Sequence, residues 1–392
     1  GERWLPRLLA AAGYETALVS NNPWVGRLTQ MHLGFDRVRD TESVRVARRH
    51  SFFRGRPRLR RNARAAYYAY RAVRGRGDAL ARDAMDRIRE WMVSRNQSRP
   101  FFLLLNLIEA HAPYMSPQSV MAVREAGATP GRVMRAMQLL DSRLSIRYNL
   151  GAERRERHAR SVQLARHLHE GAARYLDGVV EELHHLVSAQ GREAWFCVTS
   201  DHGESFGEHG ALQHGFTLDE PALHVPLMLS GPGVSPNEVM ATVDLRRVYT
   251  TALEAAGLAS PEGAPRSLLE GGTVDAVAER ERIALPSWAL PRWPHVSTRT
   301  PRLRAAYRDP WKLIVEGSRE RLIDLAADPT EELDRAEDHP EVVASLRASL
   351  LPWPAEDDRP HEATSRGGNG GGLTEPEEAE LVDRLSALGY LE

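Results

Sequence analysis

The chain of 392 residues has one cysteine, Cys197, and one lysine, Lys312. A lone cysteine cannot close a disulfide within the chain or build a thiolate metal cluster. A lone lysine against a large excess of arginine, a bias of the kind a GC-rich genome imposes, removes the ammonium group from nearly every candidate role. An excess of charge of either sign is also lacking: 52 basic residues balance 53 acidic ones for a formal net charge of −1, so no whole-molecule field points to nucleic acid or a membrane surface. The longest apolar run, FFLLLNLI at 101–108, is far too short to span a bilayer. No internal repeat is present. The sequence opens Gly-Glu-Arg-Trp, with neither initiator methionine nor leader, so Gly1 reads as a processed or truncated start and targeting is not legible.

What is present is an alternation of helical and strand patterns. Residues 5–12 have helical spacing with Gly13 at the C-cap, and ETALVS at 15–20 reads as a strand. An amphipathic helix fits 79–95, followed by a strand at 101–107 expected to be buried on both faces. Long helical stretches fit 130–150 and 154–190. AWFCVT (194–199) and LHVPLMLS (223–230) read as further strands, and 244–256 as a helix ending at Gly257. This order predicts an α/β fold with a mostly parallel central sheet flanked by helices. From residue 262 proline, glycine and charge mark a linker. Beyond it, short strands at 303–307, 311–315 and 321–324 and helices at 340–350 and 376–387 predict a smaller C-terminal α+β subdomain, with SRGGNGGG at 365–372 a flexible connector. The expected division is 1–261, 262–282 and 283–392. An arginine-rich insert at about 43–76, centred on HSFFRGRPRLRRNAR, reads as a solvated loop and helix near an anionic site. The balancing charge elsewhere argues against nucleic acid.

Chemistry concentrates where strands end, at the carboxyl edge where open α/β sheets bind ligands. One strand delivers Asp201-His202-Gly203, within TSDHGESFGEHGALQHG at 199–215; another delivers Glu109-Ala110-His111-Ala112-Pro113-Tyr114. A carboxylate and an imidazole side by side can serve one divalent ion. The bland alternative is a set of loop histidines capping backbone groups.

The run D-H-G-E-x-x-G-E-H-G, followed by His214, Asp219-Glu220, His224-Val225-Pro226-Leu227 and Gly231-Pro232-Gly233, resembles the sulfatases of the alkaline-phosphatase superfamily. RYLD at 174–177, EAHAPY, VDLRRVYTTALEAAGL at 243–258, WKLI at 311–314 and LIDLAADPTEELDRA at 322–336 extend the resemblance over nearly the whole chain outside the arginine-rich insert. RLSALGYLE at the end is similar to a common ending of bacterial members. The resemblance implies that Asp201 and His202 are metal ligands for one divalent ion, Ca2+ first, with Mn2+ or Zn2+ as alternatives. It implies that His111 contacts the substrate's anionic group or leaving oxygen. His214 takes the place where most sulfatases have lysine, and a protonated histidine can stabilise developing charge there. His209 is expected to be structural and Cys197 inert core. Asn22 matches a substrate-binding position, although Asn-Asn-Pro also favours a turn. His202, where many sulfatases have asparagine, is closer to the phosphonate and phosphodiester hydrolase branch.

The family's nucleophile lies in a C/S-x-P-S-R segment whose cysteine or serine becomes formylglycine. No such segment occurs in this sequence, so the nucleophile is expected in a missing first part, with its formylglycine and the remaining acidic metal ligands. The implied function is metal-dependent hydrolysis of a small-molecule or glycan sulfate ester, with the chain as given expected to be inactive. The alternatives are a phosphodiester or phosphonate hydrolase, a phosphoethanolamine-type transferase, or a degenerate anion- or glycan-binding relative.

Overall fold

Strand β1 (Glu15–Ser20) is buried at all six of its positions and forms the axis of the fold. It pairs in parallel with β2 (Arg37–Asp40) on one side and β3 (Phe101–Asn106) on the other, giving the order β2-β1-β3. The computed structural model describes residues 3–40, 81–281 and 302–350, apart from 23, 28, 115, 141, 152–154 and 273–274. The arginine-rich insert, the glycine connector, the helix expected at 376–387 and the RLSALGYLE ending lie outside the described residues.

Helix α1 (Leu5–Ala11) precedes β1, and α2 (Ala81–Ser94) precedes β3. Ala84, Met85, Ile88, Trp91 and Met92 recur at helical spacing on α2, and that face packs with Ala17, Val19, Phe101, Leu103 and Leu105. Each large side chain so buried stabilises the fold by roughly 1.5–3 kcal/mol. Trp91 donates its indole N–H to buried Glu15 (Oε1, 3.0 Å), whose other oxygen accepts from the Asn96 amide at 3.0 Å. Helices α3 (Pro117–Glu125), α4 (Pro130–Leu139), α5 (Ser142–Leu150) and α6 (Arg155–Ser188) follow. At the closest approach of α6 to α3, a Cβ on Gly171 would lie 2.4 Å from Ser119 Cα, so only glycine fits.

The second half departs from expectation in detail. Strand β4 is shorter than expected (Phe196–Thr199), and LHVPLMLS splits into a helical turn and β7 (Leu227–Ser230), because Pro226 has no N–H for a ladder. β7 runs antiparallel to β4, in a two-stranded sheet. Neither β3 nor β4 is buried on both faces: β3 is half-buried throughout and β4 alternates between half-buried and exposed, because each pairs along one edge only among the described residues. Cys197 is correspondingly exposed rather than core, though desolvation by the surrounding protein pushes its thiol pKa up and keeps it a poor nucleophile.

After α7 (Glu220–Leu223) and α8 (Arg247–Ala255), the C-terminal sheet has the antiparallel order β11-β10-β9-β8. Its strands are β8 (Ala276–Arg280), β9 (Leu303–Arg308), β10 (Trp311–Glu316) and β11 (Arg319–Asp324). β8 falls inside the span read as a linker. One face, with Ala305, Tyr307 and Ile314, packs on Leu218 and Leu223 of the first part; the other, with Ala306, Leu313 and Leu322, is covered by Val343 and Leu346 of α9 (Pro340–Ser349). No helix among the described residues is long and apolar enough to cross a membrane.

Candidate active site

Two strand ends carry the site, as the α/β pattern requires. After β3, residues 107–114 turn back so that buried Tyr114, at φ +58, faces the loop that follows β4. That second loop runs Ser200-Asp201-His202-Gly203-Glu204 into the short β5 (Ser205–Phe206), which pairs with β6 (Leu212–Gln213). His214 follows β6 directly. Three imidazoles from these segments meet. His202 and His214 stack with centroids 3.9 Å apart, and His111 lies 5.1 Å from His214 and 6.4 Å from His202.

Glu204 binds the three segments together. Its side chain is 3% exposed; Oε1 accepts from His214 Nδ1 at 2.5 Å and Oε2 from the Tyr114 hydroxyl at 2.5 Å. Burial alone would raise the Glu204 pKa, but the hydrogen bond and charge of His214, with the Tyr114 and His111 contributions, more than reverse it. The carboxylate is therefore ionised at neutral pH. Desolvation, reinforced by Glu204, holds the Tyr114 pKa well above its ordinary value, so Tyr114 donates.

The ring nitrogens are assigned by their partners. His202 Nδ1 lies 2.9 Å from the Gly203 carbonyl and His111 Nδ1 lies 2.8 Å from that of Ala112, so each Nδ1 carries the proton. Burial and the neighbouring His214 and His202 lower the His111 pKa against weaker opposing contributions, leaving it neutral at pH 7 with its lone pair on Nε2. His202 Nε2, the ring nitrogen not engaged by the Gly203 carbonyl, stands 3.9 Å from Asp201 Oδ1. Two ligand atoms at that separation fit one cation with bonds of about 2.0–2.5 Å. Asp201 is exposed, its side chain 76% accessible, and its Oδ1 also accepts from the His202 amide at 3.2 Å. His202, Glu204 and His214 also bring potential ligand atoms within 4.8 Å of one another, but both Glu204 oxygens are already accepting hydrogen bonds. The open edge of the cluster is therefore Asp201 with His202. They fit a divalent ion as two of its donors, and a hard cation takes six or more.

The other candidates lie differently. Asn22 Oδ1 accepts from the Trp24 amide at 3.0 Å, the turn that Asn-Asn-Pro favours. The neighbouring Asn21 is the more connected residue: Nδ2 donates to Glu109 Oε1 at 3.0 Å, and Oδ1 accepts from the Ile108 amide at 2.8 Å. Glu109 in turn accepts from the Ala81 amide at the start of α2, at 2.8 Å. His209 sits apart, with Nδ1 3.2 Å from Asp219 Oδ2 and Nε2 2.8 Å from the Thr330 carbonyl. Both its nitrogens serve as donors, which suits a protonated side chain, while His209, Asp219 and Glu331 also bring potential ligand atoms within 4.8 Å of one another. Glu204, Tyr114, Asn21 and Glu109 had no assigned role in the sequence reading; their signal was the same strand-end polarity that marked His111 and His202.

Comparison with known proteins places the fold among characterised ones. The family model described as Sulfatase matches residues 1–258. Arylsulfatase K of Mus musculus is 27% identical over 292 residues, 68% of this chain and 52% of that one, so the chain spans about half the length of that relative. Among solved structures, the phosphonate monoester hydrolase of Agrobacterium radiobacter superposes with a TM-score of 0.60 at 16% identity, over 88% of this chain and 79% of that one. A structure solved in complex with its substrate D-glucosamine-2-N,6-O-disulfate gives 0.55 at 14% identity, over 88% and 80%. At these identities the structural matches speak to fold.

Proposed function

Because the chain belongs to the sulfatase family, we propose that it serves the hydrolysis of a small-molecule or glycan sulfate ester, using one divalent ion held in part by Asp201 and His202. Ca2+ is our first assignment. The observation that carries the reading is the convergence of His111, His202 and His214 around one ionised carboxylate at the carboxyl edge of the sheet. A divalent ion bound there would neutralise the negative charge of the ester oxygens. Asp201 supplies it an oxygen and His202 its Nε2 lone pair. His214, its Nδ1–H fixed by Glu204, presents the other ring nitrogen to an ester oxygen, where a donor stabilises the charge that develops as the S–O bond breaks. His111, neutral and with its proton on Nδ1, offers a lone pair at Nε2 and can take a proton from an approaching hydroxyl. We assign no nucleophile among these residues; the reading places that role on a formylglycine.

A phosphonate or phosphodiester hydrolase is the second reading, favoured by His202 in the position beside Asp201. The test is release of sulfate from an aryl sulfate by the natural gene product in Ca2+, run beside a phenyl phosphonate monoester and a bis-aryl phosphate. The expected result is sulfate release at the highest kcat/KM of the three, lost on chelation. Preference for the phosphorus esters would move the assignment to the second reading, and turnover of none would refute both.

A further inference from the structure

Lys312, the chain's one lysine, lies on β10 with its side chain wholly buried. Taking an ammonium out of water is costly unless good partners receive it. Here Nζ donates to Glu331 Oε1 at 2.7 Å and to Glu220 Oε1 at 2.8 Å, 5.2 Å from the centre of the Tyr307 ring. The Tyr307 hydroxyl donates to the same Glu220 oxygen at 2.9 Å, and Glu331 Oε2 accepts from the Glu220 amide at 2.6 Å. Glu331 adopts φ +59, a left-handed backbone that a residue with a side chain takes up only when its surroundings enforce it. Three C-terminal residues thus hold Glu220 by its carboxylate and its amide.

Glu220 is the first residue of α7, and α7 lies against the site loop. The Gly203 amide donates to the Ala222 carbonyl at 2.8 Å, and a Cβ at Gly203 would stand 2.2 Å from the Pro221 carbonyl oxygen. Gly203 separates His202 from Glu204. We propose that Lys312 is a positioning residue for the histidine cluster: through Glu220 and α7 it clamps the Gly203 turn and so sets where His202 and Glu204 stand. Its consequence for metal binding rests on the sulfatase reading; the mechanical link does not.

The test is hydrogen exchange in the full chain. Lys312→Met keeps an unbranched apolar stem, one atom shorter, and removes the ammonium. Peptides covering residues 200–206 should then exchange at least about tenfold faster, while those covering β1, β3 and the middle of α6 keep their protection. Arg347→Ala, which cuts the exposed Arg347–Glu320 pair on the same subdomain, should leave residues 200–206 unchanged. Where Lys312→Met fails to fold because two carboxylates face each other uncompensated, Lys312→Met with Glu331→Gln removes the excess charge and gives the same readout. Unchanged exchange at 200–206, or a uniform rise across the chain, would overturn the proposal. Mn2+ affinity, measured in the natural gene product, provides the second arm: a Kd about tenfold weaker in Lys312→Met than in the parent follows from a displaced ligand loop. A parent that binds no Mn2+ would count against the sulfatase reading and leave the exchange result to decide the link.

Discussion

Glu204→Gln isolates the role of one carboxylate. In the parent, Glu204 accepts short hydrogen bonds from Tyr114 and His214 while ionised and almost fully buried. Hydrogen bonds to a charged group contribute about 1.5–3 kcal/mol each. Glutamine fills the same space, keeps one acceptor oxygen and turns an NH2 group towards the other donor. The Tyr114 hydroxyl can rotate to accept from that group, whereas His214 Nδ1–H must find the remaining oxygen. The net loss is then about 1–3 kcal/mol, which lowers the melting temperature by about 1–4 °C in a chain of this size. Turnover should fall further than stability, by roughly 10²–10³-fold, since the ring that meets developing charge loses its anchor. The pH dependence supplies the sign. A carboxyl whose folded pKa lies below its unfolded value of about 4.3 contributes stability above that pH and loses it as pH falls through the folded pKa. The gap between parent and variant should therefore be full at pH 6–7 and narrow below about pH 4. Thermal melts from pH 3.5 to 7, with kcat of the natural gene product and its variant on an aryl sulfate at pH 7, make the measurement. A gap that persists unchanged into acid, or turnover within about twofold of the parent, would refute the reasoning.

Asp201→Ala and His202→Ala should each abolish metal-dependent sulfate release and weaken Mn2+ binding; retention of full activity by both would remove the metal assignment. His209→Ala tests the distant histidine. Burial lowers the His209 pKa, but the charge and hydrogen bond of Asp219 and the Thr330 carbonyl raise it overall. Its stabilisation is thus full below the unfolded value of about 6.5 and lost as pH rises through the folded pKa, so urea midpoints of parent and variant should differ most at pH 6 and draw together as pH rises through the folded pKa. Gly171→Ala sets a methyl group against the Ser119 backbone and should lower stability by about 1–3 kcal/mol or more in the same urea assay, with metal affinity unchanged.

The apolar periods and runs of the sequence located β1, β3, α2, α6 and the three strands β9–β11, because burial leaves a local signature. The strand-end motif similarly marked the loop of Asp201 and His202. β8 was not legible: Ala276–Arg280 sits in a stretch of glycine, proline and charge, and becomes a strand only because β9 offers its edge. The exposure of Cys197 was hidden for the opposite reason. FCVT has the composition of a core strand, yet how many neighbours a strand has is a property of topology, not of its own residues.

The site divides along the same physical line. A histidine at a strand end announces itself, whereas the groups that hold it in place are paired across distances the sequence does not display. Glu204 meets Tyr114 across 90 positions, Asn21 meets Glu109 across 88 and Lys312 meets Glu220 across 92. Each of these contacts is between polar groups, and polar pairs carry no period for a sequence reading to detect. Their arrangement nevertheless has one consistent consequence. Tyr114 shares its loop with His111, Glu204 shares its loop with His202, and His214 is the second partner of the Glu204 carboxylate beside Tyr114. Displacing any one segment therefore breaks a buried, charge-assisted bond to another. The three imidazoles are held as a set rather than singly, and this is the condition under which a cluster of loop histidines can face an anionic ester in a fixed geometry.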